Sequence, residues 1–278
     1  MNGGGPSGGR AWPPAAALPA VGGRLRTAAH GGRKILGYWA CMGTPVAMER
    51  VARLGYDYVC FDAQHGLMGY SQIRDGLMAV DAGAGLGPGP RTEGIVRVAE
   101  NSPTAIGRAL DAGASGVIVP LIDTAGQAAA AVSAVKYPPL GRRSYGPMRS
   151  QLRVGPVPEE ANAATWLAAM IETPLGLRNV EAIAATPGLD ALYVGPSDLA
   201  ISLGARFPGD PEAVQAFDAA LSRVLAAARG AGIAAGIHTA SGEEASRMLG
   251  RGFDFASVSS DLVHLEQAAA GHLEAARG

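Results

Sequence analysis

From Lys34 onward the chain alternates short apolar runs with longer segments of helical spacing, and it does so eight times. The apolar runs occupy residues 35–41, 58–62, 95–98, 117–121, 167–171, 192–194, 233–237 and 255–258. Such a run, apolar without strict alternation, is what a strand covered on both faces requires. The segments between them read as helices over 45–54, 71–82, 103–112, 124–135, 174–185, 211–229, 241–249 and 261–276. Thr44 before Pro45 and Ser102 before Pro103 have the form of helix starts, and Asp123 or Thr124 caps the next. Strict alternation implies a parallel sheet wrapped in helices. Eight units in roughly 250 residues match a closed (β/α)8 barrel better than an open, doubly wound sheet. No GxGxxG follows a strand, no GxxxxGK[ST] occurs, and Gly85-Leu-Gly-Pro-Gly is too proline-broken to open a helix. The expectation is an α/β chain with one TIM-type barrel over residues 23–278.

Residues 1–22 are Gly, Pro and Ala with hardly any periodicity and read as a disordered tail, followed by a short helix over 23–32. The net charge of -1 argues against nucleic acid as a partner. No apolar run reaches the ~18 residues of a membrane span. Pro13, Pro14 and Pro19 break any secretory segment, so a cytoplasmic protein is expected. Cys41 and Cys60 fall inside expected strands and read as buried reduced thiols. The irregular stretch 137–161, rich in Pro, Gly and Arg, is long for a compact domain and reads as functional or interfacial.

In a parallel barrel the chemistry sits where the strands end. Those ends carry Asp62, Gln64 and His65, then Arg97, Pro120, Glu172, Asp198, His238 and the pair Ser259/Ser260. Glu172 and Asp198 each close an apolar run about one helix apart, so both reach the same edge. Two acidic oxygen donors there point to a hard divalent cation. A cation beside Arg97 suits a reaction that builds negative charge on an oxygen, such as enolate formation from a 2-oxo acid. Blander readings stand beside these. Glu172 can favour the dipole of the following helix, and Asp198 can be an ordinary helix cap. Arg97 can be a buried ion pair with Asp62 or Asp111, a lone His65 is more often structural, and His238 is weaker still and is set aside. Asp111 ends a helix, an unfavourable place for an acid, and calls for a cationic or imidazole partner. Lys34 and Lys136 are the only lysines and neither lies near a strand end that carries these groups, which disfavours a Schiff-base mechanism.

Five segments in order give these residues a family setting: Gly55-Tyr-Asp-Tyr-Val-Cys-Phe-Asp-Ala-Gln-His-Gly66, Leu110-Asp-Ala-Gly-Ala-Ser-Gly-Val-Ile-Val-Pro120, Tyr137-Pro-Pro-Leu-Gly-Arg-Arg-Ser-Tyr-Gly146, Ile171-Glu-Thr173 and Gly195-Pro-Ser-Asp-Leu199. With them the chain resembles the HpcH/HpaI aldolases, class II enzymes of the citrate lyase β-subunit superfamily, from about Arg24 onward. The resemblance implies Mg²⁺, Mn²⁺ or Co²⁺ on Glu172 and Asp198, and a 2-oxo acid donor cleaved from an aldehyde. It implies that Arg97 stabilises the enolate, and that the N–H groups of Ser197 and Asp198 hold the donor carboxylate. It implies that His65, paired with Asp111, handles the 4-hydroxyl proton through a water. It also implies a homohexamer, a trimer of dimers that exchange the last helix. Gln64 stands where family members commonly have Glu, and Met170 where they often have Gln. Both departures bear on the substrate more than on the reaction class. The competing readings are a CoA-ester lyase of the citrate lyase β type, a non-catalytic metal- or ligand-binding barrel, and a structural or interaction protein.

Overall fold

The computed structural model describes residues 32–87 and 91–278. The tail expected over 1–22, and all but the last residue of the helix expected over 23–32, lie outside the described residues. Eight parallel strands close on themselves in chain order. They are β1 (Ile35–Ala40), β2 (Tyr58–Asp62), β3 (Glu93–Arg97), β4 (Gly116–Val119), β5 (Trp166–Ile171), β6 (Ala191–Val194), β7 (Ala234–Thr239) and β8 (Phe255–Val258). Closure is made by β8 pairing with β1, Phe255 opposite Ile35 and Val258 opposite Tyr38. The helices are α1 (Pro45–Val51), α2 (Tyr70–Gly83), α3 (Pro103–Asp111), α4 (Ala125–Val135), α5 (Gln151–Val154), α6 (Pro158–Ala164), α7 (Pro174–Arg178), α8 (Val180–Ala184), α9 (Pro196–Ser202), α10 (Val214–Ala231), α11 (Gly242–Arg251) and α12 (Asp261–Arg277).

Helix starts follow the local chemistry. Ser102, Thr124, Thr173, Ser241 and Ser260 each accept a backbone N–H of the first turn, and Gln127 completes a capping box with Thr124. Thr44 holds the extended cap conformation but makes no side-chain cap bond. The single helix expected over 174–185 is two short ones. They break at Asn179, whose Nδ2 donates to the Asp123 carbonyl at 2.7 Å and fixes the chain there. The stretch 137–161 carries α5 and α6, which its proline and glycine content masked. Cys41 falls one residue past β1, where it is half-buried and not buried as expected; Cys60 is buried, and both are free thiols.

Strand side chains alternate between two cores. Inward residues fill the barrel, among them Trp39, Tyr58, Ile118, Trp166, Met170, Tyr193 and Phe255. Outward ones, such as Val59, Phe61, Val119, Ile171 and Ile237, pack under the helices. The rings crowd the interior enough that two inward positions must lack a side chain. A Cβ on Gly37 would stand 2.0 Å from the Tyr58 ring, and one on Gly236 would stand 2.1 Å from the Phe255 ring. Deep inside, the hydroxyls of Tyr58 and Tyr193 both meet Ser257 Oγ at 2.7 Å, so these three hydroxyls are shared rather than stranded. The last helix is tied down at its start: Asp261 accepts the N–H groups of Cys41 and Met42 at 2.9 and 3.0 Å. Beyond that anchor its apolar side chains, Leu265 and Leu273, are exposed.

Gly236→Ala tests the interior fit. The Phe255 ring must be displaced within a filled barrel, so unfolding in urea should show a loss of about 1–3 kcal/mol; unchanged stability would mean the interior is looser than described.

Candidate active site at the carboxyl-terminal rim

Period-two alternation decides what reaches the rim. On β2 the inward residues Tyr58 and Cys60 lead to Asp62, and on β3 Ile95 leads to Arg97. On β5 Trp166, Ala168 and Met170 lead to Glu172, on β6 Ala191 and Tyr193 lead to Gly195, and on β7 Ala234 and Gly236 lead to His238. One ring of the barrel therefore holds two acids, a guanidinium, an imidazole and a glycine.

Asp62 is the hub of one side. It accepts five N–H groups: Arg97 Nε at 2.9 Å, Arg97 Nη2, Trp39 Nε1 at 3.2 Å, and the backbone N–H groups of Gln64 and His65 at 3.0 and 3.1 Å. Asp62 and Arg97 are only 2 % and 7 % exposed. Burial alone pushes the Asp62 carboxyl up, but the bonds and charge of Arg97, with the His65 and Gln64 N–H groups, hold it below the usual carboxylate range. The sequence left Asp62 and Asp111 open as partners of Arg97, and the structure chooses Asp62. The guanidinium also lies over the Trp39 ring, 5.0 Å from its centroid. The same aspartate thus fixes Arg97 and the loop that presents Gln64 and the exposed His65.

Glu172 stands on the other side, 3 % exposed. Its Oε1 accepts the N–H of Leu121 at 2.8 Å, a bond made possible by Leu121 turning to φ 55 just after β4. Its Oε2 lies where a Cβ on residue 195 would come within 2.6 Å, so glycine there leaves the carboxylate its room. Burial raises the Glu172 carboxyl and the charge of Asp198 raises it further, against the Leu121 N–H and Arg97. Among the described residues no cationic side chain forms an ion pair with Glu172. The following helix is capped by Thr173, while Glu172, just ahead of it, gives Oε1 to the Leu121 N–H. Asp198 is the third residue of α9, exposed, in a first turn whose cap is Gly195; it is not the cap. Ser197 precedes it, also exposed.

Asp111 is elsewhere. It ends α3, at the end of the barrel where β4 begins, opposite the rim. Its carboxylate is paired with Arg143 Nη2 at 2.7 Å, and Arg149 and Arg153 donate to the Ala112 and Gly113 carbonyls beside it. Three arginines of the irregular stretch thereby offset the carboxyl-terminal dipole of α3. Asp111 does require a cationic partner, and within one chain that partner is Arg143 and not His65. Both lysines are also remote. Lys34 donates to the Phe253 carbonyl at 2.6 Å, and Lys136 to the Asn162 and Thr165 carbonyls at 2.6 and 2.9 Å, all at the end opposite the rim.

His238, a strand-end residue that the sequence alone did not single out, belongs to the rim. Its ring meets Trp39 edge-on at 5.0 Å between centroids. The signal was the small-x-small-x-His spacing of Ala234, Gly236 and His238, which commits the imidazole to the inward face. Among the described residues no group of three or more His, Cys, Asp or Glu side chains is gathered as metal ligands. No helix there is long and apolar enough to cross a membrane.

A parallel eight-stranded barrel with an acidic rim and no lysine at it defines a class of barrel enzymes rather than one of them. Comparison narrows it: the model of the HpcH/HpaI aldolase/citrate lyase family matches residues 36–268, and the chain belongs to that family. It is 36 % identical over 247 residues to the hydroxypyruvate/pyruvate aldolase of Rhizorhabdus wittichii, covering 88 % of this chain and 95 % of that one. It is 39 % identical over 202 residues to the 4-hydroxy-2-oxovalerate aldolase of Novosphingobium aromaticivorans, covering 71 % and 74 %. The crystal structure of an HpcH/HpaI aldolase/citrate lyase family protein from Burkholderia cenocepacia superposes with a TM-score of 0.81 at 32 % identity, covering 94 % of this chain and all of that one.

Asp62→Ala leaves Arg97 buried without its counter-charge and should destabilise the fold by about 3–5 kcal/mol. Because the Asp62 carboxyl is held below its unfolded value, its contribution is complete at neutral pH and is lost as pH falls through the folded value. Wild type and variant stabilities should therefore converge in acid; a gap that persists there would contradict the pairing.

Proposed function

We propose that this chain, an aldolase of the HpcH/HpaI type, reversibly cleaves 4-hydroxy-2-oxo acids to pyruvate, or a close 2-oxo acid, and an aldehyde. The observation that carries this reading is the buried Glu172 carboxylate, close enough to Asp198 to feel its charge, with no cationic side chain paired to it among the described residues. Repulsion between two such acids suits a hard divalent ion, Mg²⁺, Mn²⁺ or Co²⁺, held by Glu172 and Asp198 together with water. Such an ion supplies Lewis acidity toward the 2-oxo oxygen.

The chain's own residues do the rest. Arg97, its geometry set by Asp62, donates N–H to the 2-oxo oxygen, where charge grows as the C3–C4 bond breaks. The N–H groups of Ser197 and Asp198, in the first turn of α9 and lacking intrahelical partners, receive the donor carboxylate. Gln64 lines the donor's surroundings as a neutral amide. His65 takes the 4-hydroxyl proton through a water, so that C4 leaves as the aldehyde carbonyl and the electron pair remains on the pyruvate enolate. The enolate is then protonated at C3. Since Asp111 lies at the far end of its own barrel, the His65–Asp111 pairing implied by the family requires Asp111 of a second copy. We therefore take the active form as a homo-oligomer, a hexamer built as a trimer of dimers, with α12 exchanged between subunits. The catalytic unit spans residues 23–278, and residues 1–22 take no part. Free Cys41 and Cys60 suit a reducing, cytoplasmic setting. The names of the relatives support an aldolase over a CoA-ester lyase or a non-catalytic barrel; they do not agree on the acceptor aldehyde.

Screening 4-hydroxy-2-oxo acids for retro-aldol cleavage, with and without a chelator, tests the reading. Pyruvate release abolished by the chelator and restored by Mn²⁺ is expected, and no release under any condition would overturn it. Arg97→Ala should lower kcat about 10²–10³-fold. A kcat near that of the wild type would remove Arg97 from the reaction.

A further inference from the structure

The reaction above makes no use of the β7–β8 side of the rim, yet that side carries polar atoms without partners. His238 ends the inward row of β7, and its Nδ1 is shut off from solvent with no hydrogen-bond partner among the described residues. Ser259 follows β8 directly; it is buried, its Oγ is likewise without a partner, and its backbone stands at φ 51. His238 is on β7 and Ser259 lies one residue past the neighbouring β8, where the Ser259 N–H donates to the Thr239 carbonyl at 2.8 Å. An L-residue held in the left-handed region beside an unanswered hydroxyl is a costly arrangement, and such costs gather where a ligand completes the bonding.

The neighbours define what would complete it. The Trp39 ring touches both His238 and Arg97: its centroid is 5.0 Å from the imidazole centroid and 5.0 Å from the guanidinium carbon. His238 therefore shares a neighbour with the guanidinium proposed to polarise the 2-oxo oxygen, and feels its charge. Burial, with the nearby Arg97 charge, holds the imidazole down to about 4, so at neutral pH it is uncharged, with one nitrogen to donate and one to accept. A neutral imidazole and a serine hydroxyl match an alcohol, which both donates and accepts. An anion finds no cationic side chain to pair with in this couple, and an ammonium finds no carboxylate.

We propose that His238, with Ser259, is a specificity-determining residue that binds a hydroxyl on the carbon next to the reacting carbonyl, favouring hydroxylated substrates over their deoxy counterparts. This rests on the aldolase reading and adds to it a substrate class. The hydroxyl has two possible sources, C3 of a 3-hydroxy-2-oxo acid donor or C2 of a 2-hydroxyaldehyde acceptor.

The test measures kcat/KM of the full chain with Mn²⁺ in two arms. One compares hydroxypyruvate with pyruvate as donor, each with acetaldehyde. The other compares glycolaldehyde with acetaldehyde as acceptor, each with pyruvate. In the arm that holds the true source, the wild type should favour the hydroxylated compound about tenfold or more. His238→Leu and Ser259→Ala should each cut that ratio about fivefold or more, while His238→Gln, which keeps a donor and an acceptor, should retain most of it. Ser259→Ala, the smaller change, decides the case if His238→Leu does not fold. A merely structural role would lower both members of a pair alike and leave the ratio unchanged, which would overturn the inference. So would a wild type without preference in either arm. Aldol product from none of the pairings would instead overturn the aldolase reading, and the inference with it.

Discussion

Closing eight parallel strands into one barrel leaves each strand a single inward position at the rim, and the placement of Asp62, Arg97, Glu172 and His238 follows from it. The interior below is packed solid with rings and branched chains, so a rim residue cannot sink, and the helices outside prevent it from turning away. Placement is thus a consequence of parity along the strand. Glu172 faces inward because Trp166, Ala168 and Met170 do, and Arg97 because Ile95 does. The glycine at 195 continues the same logic, since its missing side chain is the room in which the Glu172 carboxylate lies.

Charge at the rim is arranged in two unlike halves. Asp62 and Arg97 cancel one another inside a web of five donors, which makes the guanidinium a fixed, oriented dipole source rather than a mobile charge. Glu172 and Asp198 have no guanidinium or ammonium bonded to them among the described residues. Burial alone would push Glu172 toward its neutral form, where it would be a poor ligand. A doubly charged ion, as proposed, would remove that conflict, since such ions prefer oxygen donors. On the proposed reading the two halves would converge on one oxygen of the substrate, the preorganised arrangement that an enolate-forming reaction needs.

Much of this was legible in the sequence because it depends on local pattern. The eight apolar runs mark the eight strands to within a few residues, since a strand buried on both faces has no other way to be written. Glu172, Asp198 and Arg97 stand out because a charged residue ending an apolar run is expensive unless used. What stayed hidden depends on contacts far apart in the chain. Nothing near Asp111 says that Arg143, beyond the next strand and helix, will hold it, and the expected pairing with His65 fails within one chain because α3 carries its last residue to the opposite end of the barrel. The stretch 137–161 reads as irregular because its helices are short, and its arginines only make sense once the end of α3 is seen beside them. His238 was passed over although its inward position was written in the spacing, because a single imidazole gains meaning only from Trp39 and Arg97 next to it.

The central claim is that Glu172 and Asp198 together hold one divalent ion. Anomalous diffraction at the manganese edge, from crystals soaked in Mn²⁺ and oxalate, tests it without reference to turnover. The account predicts one strong peak at the rim, within about 2.0–2.4 Å of an oxygen of each carboxylate. A peak bound by only one of them, or by neither, would contradict it.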